Sequence, residues 1–182
     1  DSSSLSQSFD LNGMTSDFKW PQIWTTDIAV DQQLPWGLLG TVEVIYGKDL
    51  NAVYMRNADL VKPKRTLKDG RPYYGGTDHN ELNPDGGAGI YVIDNTDEGS
   101  NFNFTTQLRK TFSPDLSMSL AYSYNTAKNN LKSTEIASVL WQNQPVQGNP
   151  NRPELSYSQF GQTHRLVGWA TYDRQWNPRH RT

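Results

Sequence analysis

The chain has 182 residues, long enough for one ordinary domain, and its 17 Lys and Arg against 19 Asp and Glu leave no basic footprint for nucleic acid. Hydrophobic residues make up only 35%, thin for a domain that fills a compact core, yet aromatics reach 12%, which separates the chain from disordered sequences. Cysteine is absent and no apolar run approaches a membrane-spanning helix, so disulfide frameworks, thiolate chemistry and helical membrane anchoring are excluded.

Residues 1–19 are rich in Ser, Asp and Asn and read as loop. The start, Asp1-Ser2-Ser3-Ser4-Leu5-Ser6, has neither the basic nor the apolar region of a signal peptide. An exported protein needs one, so the expectation is that the chain begins partway into a longer precursor. Trp24, Thr26, Ile28, Val30, Gln32 and Leu34 alternate with Thr25, Asp27, Ala29, Asp31 and Gln33, predicting a first strand. Leu34-Pro35-Trp36-Gly37 predicts a tight turn, because Pro presets φ and Gly permits φ > 0. A second strand follows, with Leu38, Val42, Val44 and Tyr46 on one face and Thr41, Glu43, Gly47 and Asp49 nearer the other, extending toward Val53-Tyr54-Met55.

Residues 60–100 are crowded with turn formers, and only Ile90-Tyr91-Val92-Ile93 reads as locally ordered. The clearest signal lies at 101–127. Phe102, Phe104, Thr106, Leu108, Lys110 and Phe112 alternate with Asn103, Thr105, Gln107, Arg109 and Thr111. After the break Ser113-Pro114-Asp115-Leu116, Leu116, Met118, Leu120, Tyr122 and Tyr124 alternate with Ser117, Ser119, Ala121, Ser123 and Asn125. Period two gives each strand one mainly apolar and one polar face. Lys128 to Gln162 is again irregular, and His164 to Trp176 reads as a fifth strand ended by Asn177-Pro178.

The connections run short, long, short, long. Outer-membrane barrels have short periplasmic turns and long extracellular loops, and their strands need ~9–11 residues to cross the bilayer. The expected fold is therefore all-β: antiparallel up-and-down strands, about five, forming part of a large transmembrane barrel. Five strands cannot close such a barrel, so 1–182 reads as a fragment of one barrel domain. Turns 34–37 and 113–116 would be periplasmic. Trp36, Phe112 and Trp176 would lie near that rim, with Lys110 close enough to snorkel. Phe102, Phe104, Leu108, Phe112, Met118, Leu120 and Tyr122 are the expected lipid-facing residues. Asn103, Thr105, Gln107, Arg109, Ser117, Ser119 and Ser123 are the expected lumen-facing ones.

Two segments resemble a known family. Val92-Ile93-Asp94-Asn95-Thr96-Asp97-Glu98-Gly99, running into Phe102-Asn103-Phe104-Thr105-Thr106-Gln107-Leu108, is similar to the barrel region of Oar-like TonB-dependent outer-membrane receptors. So is Asn149-Pro150-Asn151-Arg152-Pro153-Glu154-Leu155-Ser156-Tyr157-Ser158, followed by Thr163-His164-Arg165-Leu166-Val167-Gly168. The resemblance covers roughly 20–177 and includes no plug domain, TonB box or amino-terminal carboxypeptidase-regulatory-like domain. It implies a transporter or receptor in the outer membrane. Its implied partners are the lipid bilayer, its own plug, the TonB complex and, in some cases, a surface lipoprotein. It does not carry over a substrate class.

Other chemistry is sparse. His79, His164 and His180 lack metal-ligand spacing, and His164 reads as a strand-start residue. Asp94, Asp97 and Glu98 form an acidic loop cluster without EF-hand register. Lys62, Lys64, Arg65, Lys68 and Arg71 form a basic run that reads as a solvated loop or a contact for an anionic surface. Tyr73, Tyr74 and Trp141 are loop aromatics that suit either packing or stacking on sugars. Asn103-Phe104-Thr105 matches a glycosylation sequon by chance, mid-strand, and Gly86-Gly87-Ala88-Gly89 lacks the context of a phosphate loop. The expectation is thus no enzyme, no catalytic residue, no cofactor, no metal and no nucleic-acid partner. Besides a transporter barrel, a non-transport outer-membrane barrel (adhesin or anchor) and a soluble β-sandwich carbohydrate-binding module remain open readings.

Overall fold

The computed structural model describes residues 10–75, 89–131, 135–159 and 161–174. In chain order the strands are β1 (Leu11–Met14), β2 (Gln22–Leu34), β3 (Leu38–Asn57), β4 (Arg65–Thr66), β5 (Pro72–Tyr73), β6 (Ile90–Thr96), β7 (Ser100–Ser113) and β8 (Leu116–Asn129). One short helix follows, α1 (Ala137–Gln142), then β9 (Ser156–Tyr157) and β10 (His164–Tyr172). The all-β expectation holds. The count of about five does not: β2, β3, β7, β8 and β10 are the five read from the sequence, and among the described residues β1, β4, β5, β6 and β9 add five more. The residues fall into two compact units. One draws on Asp1–Trp24, Lys48–Gly99 and Lys128–Gln159, the other on Thr25–Gly47, Ser100–Ala127 and Phe160–Thr182. Strands β2, β3 and β8 each contribute residues to both.

In the first unit, β6 pairs antiparallel with the distal half of β3, from Ala52↔Thr96 to Asn57↔Tyr91. On its other side β6 pairs with β1 in parallel, from Leu11↔Ile90 to Met14↔Ile93. This corrects two expectations, that residues 1–19 are loop throughout and that all strands run up and down. A four-residue strand with every side chain exposed carries no period-two signal. It becomes a strand only because β6 offers an edge far along the chain. Two small ladders complete the unit, β4 with β5 and the end of β8 with β9.

The core of this unit is Met55, Tyr91 and Trp141, flanked by Leu60, Ile93, Ala137 and Leu140. Six residues are too few for a helix to stand alone, so α1 depends on burying Trp141. The edge of β3 is closed by side chains instead of a strand. Gln144 Nε2 donates to the Met55 carbonyl at 2.7 Å, and its Oε1 accepts the Met55 N–H at 2.8 Å. Asn151 does the same for Asn57, with both bonds at 2.7 Å. An amide side chain has the same donor and acceptor as a peptide unit, so two of them substitute for a partner strand.

In the second unit the order is β2-β3-β7-β8-β10. The β2–β3 hairpin closes through Pro35–Gly37, where Trp36 (φ 65°) and Gly37 (φ 72°) both take positive φ. Gly accepts that conformation freely, whereas Trp seldom does. Pro114 and Asp115 close the β7–β8 hairpin at the predicted break. Residues His164 to Tyr172 pair with Tyr124 to Leu116, and backbone bonds from Asn125 to Thr163 and from Asp173 to Asp115 extend that ladder at both ends. Among the described residues no pairing joins β2 to β10, so the sheet stays open. The fifth strand, expected to reach Trp176, ends at Tyr172; Trp176, His79, His180 and Gly86-Gly87-Ala88 lie outside the described residues.

Candidate functional site

The odd-numbered positions of β7 and β8 meet in three hydrogen-bonded groups along one face. Gln107 Nε2 donates to Ser119 Oγ at 2.9 Å, and Arg109 Nη2 donates to Gln107 Oε1 at 3.3 Å. The Thr105 hydroxyl lies 3.0 Å from Asn103 Oδ1 and 3.2 Å from Ser123 Oγ, and Thr111 meets Ser117 at 3.3 Å. All seven residues expected to face a lumen therefore share one face of the sheet. On β10, Arg165 pairs with Ser123 and Trp169 with Ser119, which places an aromatic residue on the polar side.

The even-numbered positions make the opposite face. Phe102 packs at 6.3 Å on Tyr124, and Lys110 Nζ sits 4.7 Å above the Phe112 ring, its charge held by the aromatic face. Leu166 pairs with Tyr122, Gly168 with Leu120, and Ala170 with Met118. Since Gly168 presents no side chain beside Leu120, a shallow groove of about 480 Å³ opens there, bounded by Leu38, Leu108, Phe112, Met118 and Leu120. His164 begins β10 as expected, and its Nδ1 lies 2.8 Å from the Tyr122 hydroxyl.

The two faces differ in burial at the centre of β8, while Phe102, Phe104 and Tyr122 on one face and Asn103, Thr105 and Gln107 on the other are all half-buried. Ser119 on the polar face is 6% exposed, whereas Leu120, next to it in sequence and on the other face, is 52% exposed. Phe112, Met118 and Leu166 are likewise open, as are Ile28, Val30, Val42 and Tyr46 on β2 and β3. In water, exposed apolar surface normally stays in patches of a few hundred Å². This face runs across every strand of the unit.

The remaining sequence candidates are accounted for locally. Trp141 is no stacking platform: it is 9% exposed, tilts against Tyr91 at 5.9 Å, and donates its indole N–H to Asn151 Oδ1 at 3.0 Å. The signal for it was present, an aromatic inside Ala137-Ser138-Val139-Leu140-Trp141, but turn formers around it masked a single helical turn. The acidic cluster is divided among partners. Asp94 Oδ2 pairs with Arg56 Nε at 3.1 Å, Glu98 accepts from Asn130, and the Asp97 carbonyl accepts from Lys48. Among the described residues no three His, Asp or Glu groups converge as metal ligands. In the basic run, Arg65 stacks at 4.7 Å on Tyr73 and Arg71 pairs with Asp69 at 2.7 Å. That bond holds the Asp69 carboxyl below the usual carboxylate range. Burial, helped by the neighbouring Asp94 carboxylate, pushes the Tyr54 hydroxyl above its usual value. No helix among the described residues is long and apolar enough to cross a membrane, a criterion that strands do not meet or fail.

Comparison with protein-family models, with curated proteins and with solved structures returns no match.

Proposed function

We propose that this chain is a section of the barrel wall of a TonB-dependent outer-membrane transporter, Oar-like in character, that serves energised passage of a bulky solute. The observation that carries the reading is the two-faced sheet: hydrogen-bonded groups of Asn, Thr, Gln, Arg and Ser on one face, and on the other an apolar face whose Leu108, Phe112, Met118, Leu120 and Val42 are exposed. Lipid removes the penalty for the second face, and a hydrated lumen containing a plug uses the first. Strands β2, β7 and β8 have 13, 14 and 14 residues, more than the ~9–11 that a tilted crossing needs, so each spans with residues to spare. On that reading the short turns at Pro35–Gly37 and Pro114-Asp115 lie on the periplasmic side and the long connections on the extracellular side. On this reading the partners are the outer-membrane bilayer, a plug domain, the TonB complex and a surface lipoprotein on some members. The wall residues position and hydrate; none is assigned a chemical step.

The test is the behaviour of the full-length protein. It should sediment with outer membranes, resist carbonate extraction, and migrate faster on a gel when unheated than when boiled. A protein that stays soluble without detergent ends the proposal. A membrane barrel whose complete gene encodes no plug ends the transporter reading and leaves the adhesin or anchor.

A further inference from the structure

The apolar face of the second unit is not uniform. Where β10 passes β8, Gly168 lies beside Leu120 and Ala170 beside Met118. Two small residues against two large ones leave the groove of about 480 Å³, whose lining continues through Leu108, Lys110 and Phe112 of β7. A side chain begun at Gly168 would find room. Its Cβ would meet Leu120 Cδ1 at 3.4 Å and the Ser119 carbonyl at 3.6 Å, both ordinary contacts. Glycine is therefore not forced there by crowding; its effect is to keep the trough open.

Lys110 is the one charged side chain in that lining. Its Nζ sits 4.7 Å from the centre of the Phe112 ring, and among the described residues no carboxylate lies within ion-pair distance of it. A ring face offsets a cation only in part, and an ammonium carries three N–H donors. The groove thus joins an apolar trough to a cation that lacks an anion. One chemistry meets both, an anionic group attached to a hydrocarbon chain. A free phosphate would leave the trough empty. A second copy of this face would bring another Lys110 and no carboxylate, since the lining contains none.

Position along the strand agrees. Lys110 stands three residues before β7 ends at Ser113, roughly 10 Å of extended chain from the turn. On the barrel reading that turn marks a membrane rim, and a four-carbon stem at this depth lets the ammonium reach headgroups. Leu108 and Leu120 lie farther from the turn, toward the hydrocarbon. We infer that the groove seats one acyl chain of an anionic phospholipid, with its phosphate on Lys110 Nζ. The site rests on the barrel reading and gives its apolar face one specific lipid partner in place of bulk bilayer alone.

The experiment is native mass spectrometry of the full-length protein in mild detergent, with equimolar phosphatidylglycerol and phosphatidylcholine of matched chain length. One phosphatidylglycerol should stay bound at collision energies that strip phosphatidylcholine. Lys110→Gln should lower that preference about fivefold, the weight of one lysine at an anionic lipid surface, and Lys110→Arg should retain it. Gly168→Leu fills the trough and should reduce retention of both lipids. If Gly168→Leu does not fold, the two Lys110 variants decide the matter. Equal retention of phosphatidylglycerol by folded Lys110→Gln or Gly168→Leu overturns the site. So does a dimer that Gly168→Leu dissociates, which would make a second copy the occupant. A heat-modifiable membrane barrel with no preference between the lipids overturns the site and leaves the barrel reading standing, whereas a protein soluble without detergent ends both.

Discussion

The two units of this chain solve the same problem in opposite ways. In the first, apolar side chains go inside: Met55, Tyr91 and Trp141 are buried together, and polar amides serve as struts that close the edge of β3. In the second, polar side chains bond to one another on one face and the apolar ones stay open on the other. Where the core is inside, burial of a few large residues holds the fold. Where the sheet is two-faced, period-two alternation and cross-strand polar pairs organise the strands, and on the proposed reading lipid covers the apolar face. The same residue types then carry opposite meanings in the two places.

The largest expected effect breaks the first arrangement. Trp141→Ala removes the ring that anchors α1 and the indole donor to Asn151, and should cost about 3–5 kcal/mol. Hydrogen exchange at the Met55 and Asn57 amides should accelerate strongly. Unchanged protection there would show that the amide struts hold β3 without the core.

The second arrangement is broken from its apolar side. Leu120→Arg should cost about 2–4 kcal/mol if lipid covers that face, whereas Gln107→Arg, on the other face of the same hairpin, should cost about 1 kcal/mol through its lost bond to Ser119. The readout is the urea midpoint of the heat-modifiable band. Equal shifts for the two variants would remove the distinction between the faces.

A smaller effect is expected at the turn joining β6 to β7. Gly99 has φ +132°, and an added Cβ would meet the Asp49 carboxylate. Gly99→Ala should cost about 1–3 kcal/mol, measured by denaturant unfolding. The smallest effect is a pH dependence confined to the first unit. Burial raises the Tyr91 hydroxyl above its usual value, and Asp10 adds to that. A raised pKa means that the folded state favours the protonated phenol. Its contribution is therefore complete below the unfolded value near ~10 and is lost as pH climbs through the folded value. Thermal midpoints followed from pH 9 to 11.5 should fall, and Tyr91→Phe should flatten part of that fall.

Much of the second unit was legible in advance. Alternation from Phe102 to Phe112 and from Leu116 to Tyr124 needs only local backbone geometry, and the structure keeps the two sets on separate faces. The turn at Pro35–Gly37 was legible as a turn but not in its detail, since nothing in the sequence marks Trp36 for a positive φ. The first unit was mostly illegible. β1 forms against β6, 79 residues along the chain for Leu11 and Ile90, and the amides that close β3 lie 89 and 94 residues from the backbone they bond. Gln144, Asn149 and Asn151 stand among Pro145, Gly148 and Pro150, where local rules give a loop.

By itself, then, the sequence determined strand periodicity, the two hairpin turns and which residues share a face, because those follow from the two-residue repeat of an extended chain. Tertiary structure decided that Trp141 is core instead of platform, that β1 is a strand, and that Asn130 is buried with its amide N–H on Glu98. Those outcomes depend on which distant backbone groups and side chains meet, and no local pattern encodes that meeting.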